Sequence, residues 1–406
     1  MEGLLKVISP EDALQVILDR FPPCSRRFDS VGIGNACGRV LNTDIVAVEF
    51  VPGYNRSTVD GYAVIASDTF GCTSASPALL TLAGEVLMGK AAKRRIVAGT
   101  CIAVSTGGDL PDGADAVVMQ EYTEEYGNNL IGISVSVAPG NSIIFKGDDL
   151  MPGDKILAAG TLLAPHDIGI LSALGYDKVG VRRRPVVGVI STGDELVATT
   201  SVPQRGQVRD VNTPMIAAAI RSFGAVVKRF GIIEDDKAAL QMTLAQAVDE
   251  CDIVLISGGS SAGTRDVTAR VIENLGALLF HGIAMKPGKP TILGDISGKP
   301  VFGLPGHPVA AYFVTELFVR PLIDQLMGYP QKRRTVAARI CEAVSSNHGR
   351  AEYIAVVLED DDKVARPIRG KSGLIASLAN SDGYICIPRD LEGLSKDAEV
   401  SVILWA

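Results

Sequence analysis

Residues 185–196 read PVVGVISTGDEL: five apolar or small residues without a break, then Ser191, Thr192 and Gly193, then the acids Asp194 and Glu195. A half-exposed strand alternates apolar and polar positions. An unbroken run of Val, Gly and Ile instead belongs to a strand covered on both faces, as in a parallel sheet. The segments downstream have the same character. TPMIAAAIRSFG (213–224) reads as a helix ended by Gly224, AVVKRFGII (225–233) as a strand, DKAALQMTLAQAVDE (236–250) as a helix and DIVLI (252–256) as a strand. DVTARVIENLG (266–276) continues as a helix, strands follow near 291–293 and 301–304, and HPVAAYFVTELFVRPLIDQLMG (307–328) reads as one long helix. Strands alternating with helices predict a doubly wound, mostly parallel α/β domain over 181–328.

Upstream, Ser9-Pro10-Glu11-Asp12 has the form of a helix start, with a Ser cap, Pro at the first helical position and acids in the first turn. Leu14, Ile17, Leu18 and Phe21 then recur at helical spacing until Pro22-Pro23. From about 50 to 150 the pattern turns to short strands between Gly, Asp, Asn and Pro turns, which predicts a β-rich insert in an elongated N-terminal and linker region, 1–180. After the charged YPQKRRT, residues 332–406 read as short strands of a β-barrel-like domain.

Composition bounds the chemistry. The 406 residues carry a net charge of −7, without a basic block, which argues against nucleic acid as a partner. No apolar run approaches the ~18–20 residues that span a bilayer, so no membrane is expected. Seven dispersed cysteines and four histidines give neither a disulfide framework nor a zinc site, and fit a reducing cytoplasm. The N-terminus is acidic and helical in pattern, unlike a signal peptide.

In an open parallel sheet ligands bind beyond the carboxyl ends of the strands. Three loops should emerge there: STGDEL (191–196), SGGSSAGTRD (257–266) and GLPGHP (303–308). Their glycines and hydroxyls, with Gly258, Gly259, Pro305 and Gly306 among them, expose backbone N–H groups suited to an anion. A single loop of this kind is more often a plain turn; three converging on one edge reverse that weighting. Acids accompany them. Glu195 ends a strand over the crevice and is assigned a metal or substrate role, Asp266 is balanced between helix cap and ligand, and Asp235-Asp236 fits a cap for the next helix. MKPGKP (285–290) sets Lys286 and Lys289 on a segment stiffened by two prolines, which fits a phosphate or another tetrahedral oxyanion. Arg350 in GRAEY and Lys371-Ser372 in RGKSGL offer a similar pairing. No Ser-His-Asp or Cys-His arrangement can be argued from spacing, and His307 reads as a loop hydrogen-bonder.

One more loop stands out. PGYNRSTVDGYAV (52–64) gathers Asn55, Arg56, Ser57, Thr58 and Asp60, more hydrogen-bonding groups than a plain connection requires. With TGGDLPDGADAVVMQE (106–121), KGDDLMPGD (146–154), VRDVN (208–212) and the loops above, in this order, it resembles the molybdopterin molybdenumtransferase family, the MoeA proteins and the gephyrin E domain. The resemblance covers essentially the whole chain. It implies a homodimer of four-domain subunits that inserts molybdate into adenylylated molybdopterin with a divalent metal such as Mg²⁺, releasing AMP. Other molybdenum cofactor biosynthesis proteins are implied as partners.

By the same resemblance Asp60 is a functional acid reaching across the dimer, and Thr106 and Asp149 lie on that side of the cleft. Glu195, Asp235 and Asp266 would hold the metal or adenylyl group, Lys286 and Lys289 the oxyanion and terminal phosphate, and Arg350 and Ser372 the molybdate. The chain departs from the usual pattern at GGSSAG, His307, Ala310 and Tyr54-Asn55. A tungstate-inserting homologue, a nucleotide hydrolase or amidase, and a scaffold protein on the same fold are the alternatives.

Overall fold

The computed structural model describes residues 7–23, 28–258, 262–330, 332–368, 370 and 373–405, with only the backbone of 262–266. Two compact units result. One comprises 30–37 and 41–179; the other comprises residues up to 29, 38–40 and 180–406.

The second unit holds a six-stranded sheet in the order Val226–Ile233, Val186–Thr192, Ile253–Gly258, Lys299–Leu304, Ile292–Ile296, Ala277–His281. The first four run parallel; Ile292–Ile296 runs against them, and Ala277–His281, antiparallel to that strand, runs with them again. The central strands Val186–Thr192 and Ile253–Gly258 are buried along almost their whole length, which is why they read as unbroken apolar runs. Helices Asn212–Ser222, Lys237–Glu250 and Ala262–Leu275 follow successive strands. Asp236 caps the second of these, its Oδ1 accepting from Ala239 N at 2.7 Å. The predicted Ser cap is present as well: Ser9 Oγ accepts from Asp12 N at 3.0 Å at the start of helix Pro10–Arg20.

The long helix predicted over 307–328 is continuous but not uniform. It runs as α-helix Pro308–Val314, widens to a π-helical stretch at Thr315–Val319, and resumes as Arg320–Met327 before Gly328 closes it with a left-handed φ of 62°. Pro321 explains the widening. It has no N–H to donate one turn back, and its ring crowds that turn.

Residues 335–404 form a closed five-stranded β-barrel, in the order Ala351–Glu359, Val364–Pro367, Thr335–Ile340, Glu399–Leu404, Gly383–Ile387, with the last strand pairing back to the first. A short parallel strand, Met285–Lys286, joins this barrel from the α/β domain, pairing Met285 with Ala351 and Lys286 with Glu352. Phe313, Tyr353, Tyr384 and Trp405 stack edge-on or tilted between the helix and the barrel. Beside them Glu316, wholly buried, accepts from Arg320 Nη1 at 2.7 Å and from Arg333 Nη1 at 2.5 Å. Arg333 also bonds the Glu316 carbonyl oxygen and Tyr384 Oη, tying helix to barrel.

The other unit contains a six-stranded sheet in the order Ala116–Met119, Gly61–Val64, Thr100–Val104, Ala78–Glu85, Leu130–Ile133, Thr123–Glu125. These are the segments whose alternation predicts strands.

Candidate functional site

The parallel sheet ends in the loops singled out above. Thr192 pairs with Gly258 across neighbouring strands, and a Cβ at Gly258 would lie 1.9 Å from the Thr192 carbonyl oxygen. Only glycine permits that approach. Position 193 favours glycine for its backbone, at φ 147°, and the Glu195 carboxylate lies folded over Gly193, Oε2 2.6 Å from where a Cβ would stand. Asp194 Oδ1 accepts from Asp235 N at 3.0 Å, and Asp235 Oδ1 accepts from Thr192 Oγ1 at 3.3 Å. Three carboxylates therefore share one strand edge. Burial, with the charges of Asp194 and Glu195, raises the Asp235 carboxyl above the ordinary range against the lowering effect of the Thr192 bond. Asp235 is thus exposed beside Thr192 and Asp194 while Asp236 makes the helix cap. Among the described residues no three His, Cys, Asp or Glu side chains converge closely enough to enclose a metal by themselves.

Beneath this edge lies a buried polar layer. Asn212 Nδ2 donates to Ser257 Oγ at 2.8 Å and to the Gly306 carbonyl oxygen at 2.9 Å, so VRDVN fixes the Pro305-Gly306 loop. Ser191 Oγ bonds Asp210 Oδ2 at 2.9 Å and Thr213 Oγ1 at 2.5 Å.

Between the α/β domain and the barrel opens a cleft of about 860 Å³, lined by Lys286, Lys289, Pro305, Gly306, His307 and Arg350 among others. Ala310, Phe313 and Tyr353 add an apolar side, and desolvation raises the Tyr353 phenol well above its ordinary value, keeping it neutral. Lys286 does not stand as a lone ammonium. Its Nζ lies 2.7 Å from Glu352 Oε1, and Ser346 Oγ donates to Glu352 Oε2 at 2.8 Å. Glu352 escapes sequence reasoning because it meets Lys286 only through strand pairing between distant segments, and Ser346 because it acts through Glu352; alternation in GRAEYIAVV is the one available signal.

In the other unit the NRSTVDGYA loop binds its neighbours. Asn55 Oδ1 accepts from Lys146 N at 2.8 Å, Ser57 N donates to the Gly108 carbonyl oxygen at 3.0 Å, and Arg56–Ser57 pairs with Ile143–Ile144. Asp60 Oδ1 accepts from Thr106 N at 2.7 Å and from Thr106 Oγ1 at 3.2 Å, which brings two expected site residues together on an exposed surface. Asp149 is exposed on the adjoining loop, with its N–H bonded to the Val51 carbonyl oxygen. Gly259, Ser372 and the Asp266 side chain lie outside the described residues; position 266 falls within helix Ala262–Leu275.

Three family models match in succession: the MoeA N-terminal region (domains I and II) at 8–175, a probable molybdopterin binding domain at 188–325 and the MoeA C-terminal region (domain IV) at 337–405. Full-length relatives agree. A putative molybdopterin biosynthesis protein of Methanocaldococcus jannaschii is 32% identical, with 100% of this chain and 99% of that protein covered. The chain belongs to the MoeA family. The molybdopterin molybdenumtransferase of Bacillus subtilis is 31% identical over 92% of this chain and 89% of its own. A crystal structure of the Pyrococcus horikoshii molybdopterin biosynthesis MoeA protein superposes with a TM-score of 0.87 at 39% identity, covering 98% of this chain and 99% of that one. The multidomain α/β fold with a β-barrel read from the sequence is that of MoeA proteins, although one strand of the α/β sheet, Ile292–Ile296, runs against the others.

Proposed function

We propose that this MoeA-family chain is a molybdopterin molybdenumtransferase that inserts molybdate into adenylylated molybdopterin with release of AMP. The observation that carries the reading is the cleft of about 860 Å³ in which Lys286, Lys289 and Arg350 converge beside the Pro305-Gly306 loop, in a chain related to named transferases over nearly its full length. Two or three cations in a partly water-excluded cleft suit a tetrahedral dianion. The lysines bind and orient molybdate, and they counter charge that develops as the phosphoanhydride breaks and AMP leaves.

Glu195 and Asp235 supply hard carboxylate oxygens, and their crowding with Asp194 favours a cation there. We assign a divalent ion such as Mg²⁺ to Glu195 and Asp235, with Asp266 as a third ligand. Held there by Glu195 and Asp235, it would neutralise phosphate charge, and one or two carboxylates would be enough for Mg²⁺. The Asp60–Thr106 loop, whose functional acid is Asp60, serves the cleft of a second subunit in a homodimer. A cytoplasmic location is consistent with the absence, among the described residues, of any helix long and apolar enough to cross a membrane.

The test is incubation with adenylylated molybdopterin, Mg²⁺ and molybdate, following AMP release and reconstitution of an apo-molybdoenzyme. No molybdate-dependent AMP would end the transferase reading. Running tungstate in parallel addresses Ala310 and His307, which line the cleft.

A further inference from the structure

We propose that Glu352 is a positioning residue that holds the Lys286 ammonium at the wall of the oxyanion cleft, an inference that rests on the transferase reading above. Glu352 is only 9% exposed, yet it is the one acid among the described residues lining the cleft. A buried carboxylate beside an anion site opposes binding unless a cation is tied to it. Here the tie is direct: Oε1 lies 2.7 Å from Lys286 Nζ, and Oε2 is fixed by Ser346 Oγ at 2.8 Å. Backbone pairing enforces the match, since Lys286 and Glu352 are register partners in adjacent parallel strands.

The lysine needs such an anchor. Its side chain is 55% exposed and its four-carbon stem would otherwise sample many rotamers. An ammonium carries three donors. One directed to Glu352 leaves two for an oxyanion, so the pair braces the cation without consuming it. The Glu352 carboxylate and Ser346 hydroxyl therefore act on molybdate through Lys286 and not by contact.

A double-mutant cycle on the full chain tests this, with molybdate varied at saturating adenylylated molybdopterin and AMP release as readout. Glu352→Gln should raise the KM for molybdate about tenfold, the scale of one charge-assisted bond, with the KM for the adenylylated substrate unchanged. Lys286→Ala should do the same, and the double variant should be no worse than Lys286→Ala alone, because coupled residues are non-additive. Additive effects would show that Glu352 acts independently and would overturn the proposal. A lower molybdate KM in Glu352→Gln would mean that the acid masks the lysine, and a lower melting temperature with unchanged KM would mean a purely structural pair; either result also overturns it. Should Glu352→Gln fold poorly, Ser346→Ala serves in its place: about a threefold rise in molybdate KM is expected, smaller than tenfold because the lost bond reaches molybdate only through Glu352 and Lys286, and no rise overturns the brace. An unaffected Lys286→Ala refutes the proposal while molybdate-dependent AMP release by the unaltered enzyme still upholds the transferase reading.

Discussion

Replacing Glu316 with glutamine probes how the barrel is held against the α/β domain. The carboxylate is wholly buried and accepts from Arg320 at 2.7 Å and Arg333 at 2.5 Å. Glutamine keeps the shape but removes the charge, leaving two guanidinium groups in a poorly solvated place. Breaking one partner from a buried ionic set costs about 3–5 kcal/mol. The lower end applies, for two reasons. Arg320 keeps its seat over the Phe223 ring at 5.2 Å, and Arg333 keeps Tyr384 Oη at 3.0 Å and the residue 316 carbonyl oxygen at 2.6 Å. A loss of about 3 kcal/mol corresponds to roughly 6–12 °C in the melting temperature of a unit this size. Scanning calorimetry measures it, and the transition assigned to the α/β–barrel unit should move while that of the other unit stays. A Glu316→Leu, Arg320→Met, Arg333→Met variant, in which the charges vanish together, should recover most of the loss. A shift below about 1 kcal/mol in Glu316→Gln, or a triple variant as unstable as the single, would refute the argument that electrostatic imbalance governs this hub.

The remaining predictions concern the site. Lys289→Ala should raise the molybdate concentration needed for half-maximal AMP release roughly ten- to hundred-fold, the equivalent of about 1.5–3 kcal/mol for a charge-assisted bond; an unchanged dependence places the oxyanion elsewhere. Glu195→Gln should bind adenylylated molybdopterin but turn over slowly, with the deficit lessened at high Mg²⁺; equal losses in binding and turnover would argue for substrate holding alone. Mixed dimers of Asp60→Ala and Glu195→Ala subunits should regain activity at one composite site. Absence of activity in dimers verified as mixed rejects the shared cleft. Treatment with a chelator should stop AMP release and added Mg²⁺ should restore it, as followed by nucleotide chromatography.

The sequence carried the α/β domain plainly, because both-sided burial leaves its mark on Val186–Thr192 and Ile253–Gly258 as uninterrupted apolar runs, and because Gly258 sits where a Cβ would collide. The Ser9 cap was equally readable, since a cap acts within three residues. Relations between distant segments were not. Glu316 lies in a run of Val, Thr, Leu and Phe that reads as uniform helix, and nothing local announces that its partner Arg333 belongs to a linker. The Lys286–Glu352 pair was hidden for the same reason: MKPGKP looks like a loop stiffened by prolines, and it becomes a strand only when the barrel offers an edge. Asp235 shows the limit of local rules. Two adjacent acids before a helix both suit the cap, and only the structure assigns the cap to Asp236 and turns Asp235 toward Thr192.

The short strand Met285–Lys286 bears on protein engineering. A designer of chimaeric proteins would cut after Gly328 and treat residues 335–404 as a transferable module, since that barrel closes on its own five strands. The cut would leave the backbone of 351–352 without the neighbour that Met285–Lys286 provides, a bare edge open to association with other chains. It would also part Lys286 from Glu352. Hybrids between MoeA relatives should therefore exchange 284–290 together with the barrel, so that each lysine segment travels with the acid it was matched to.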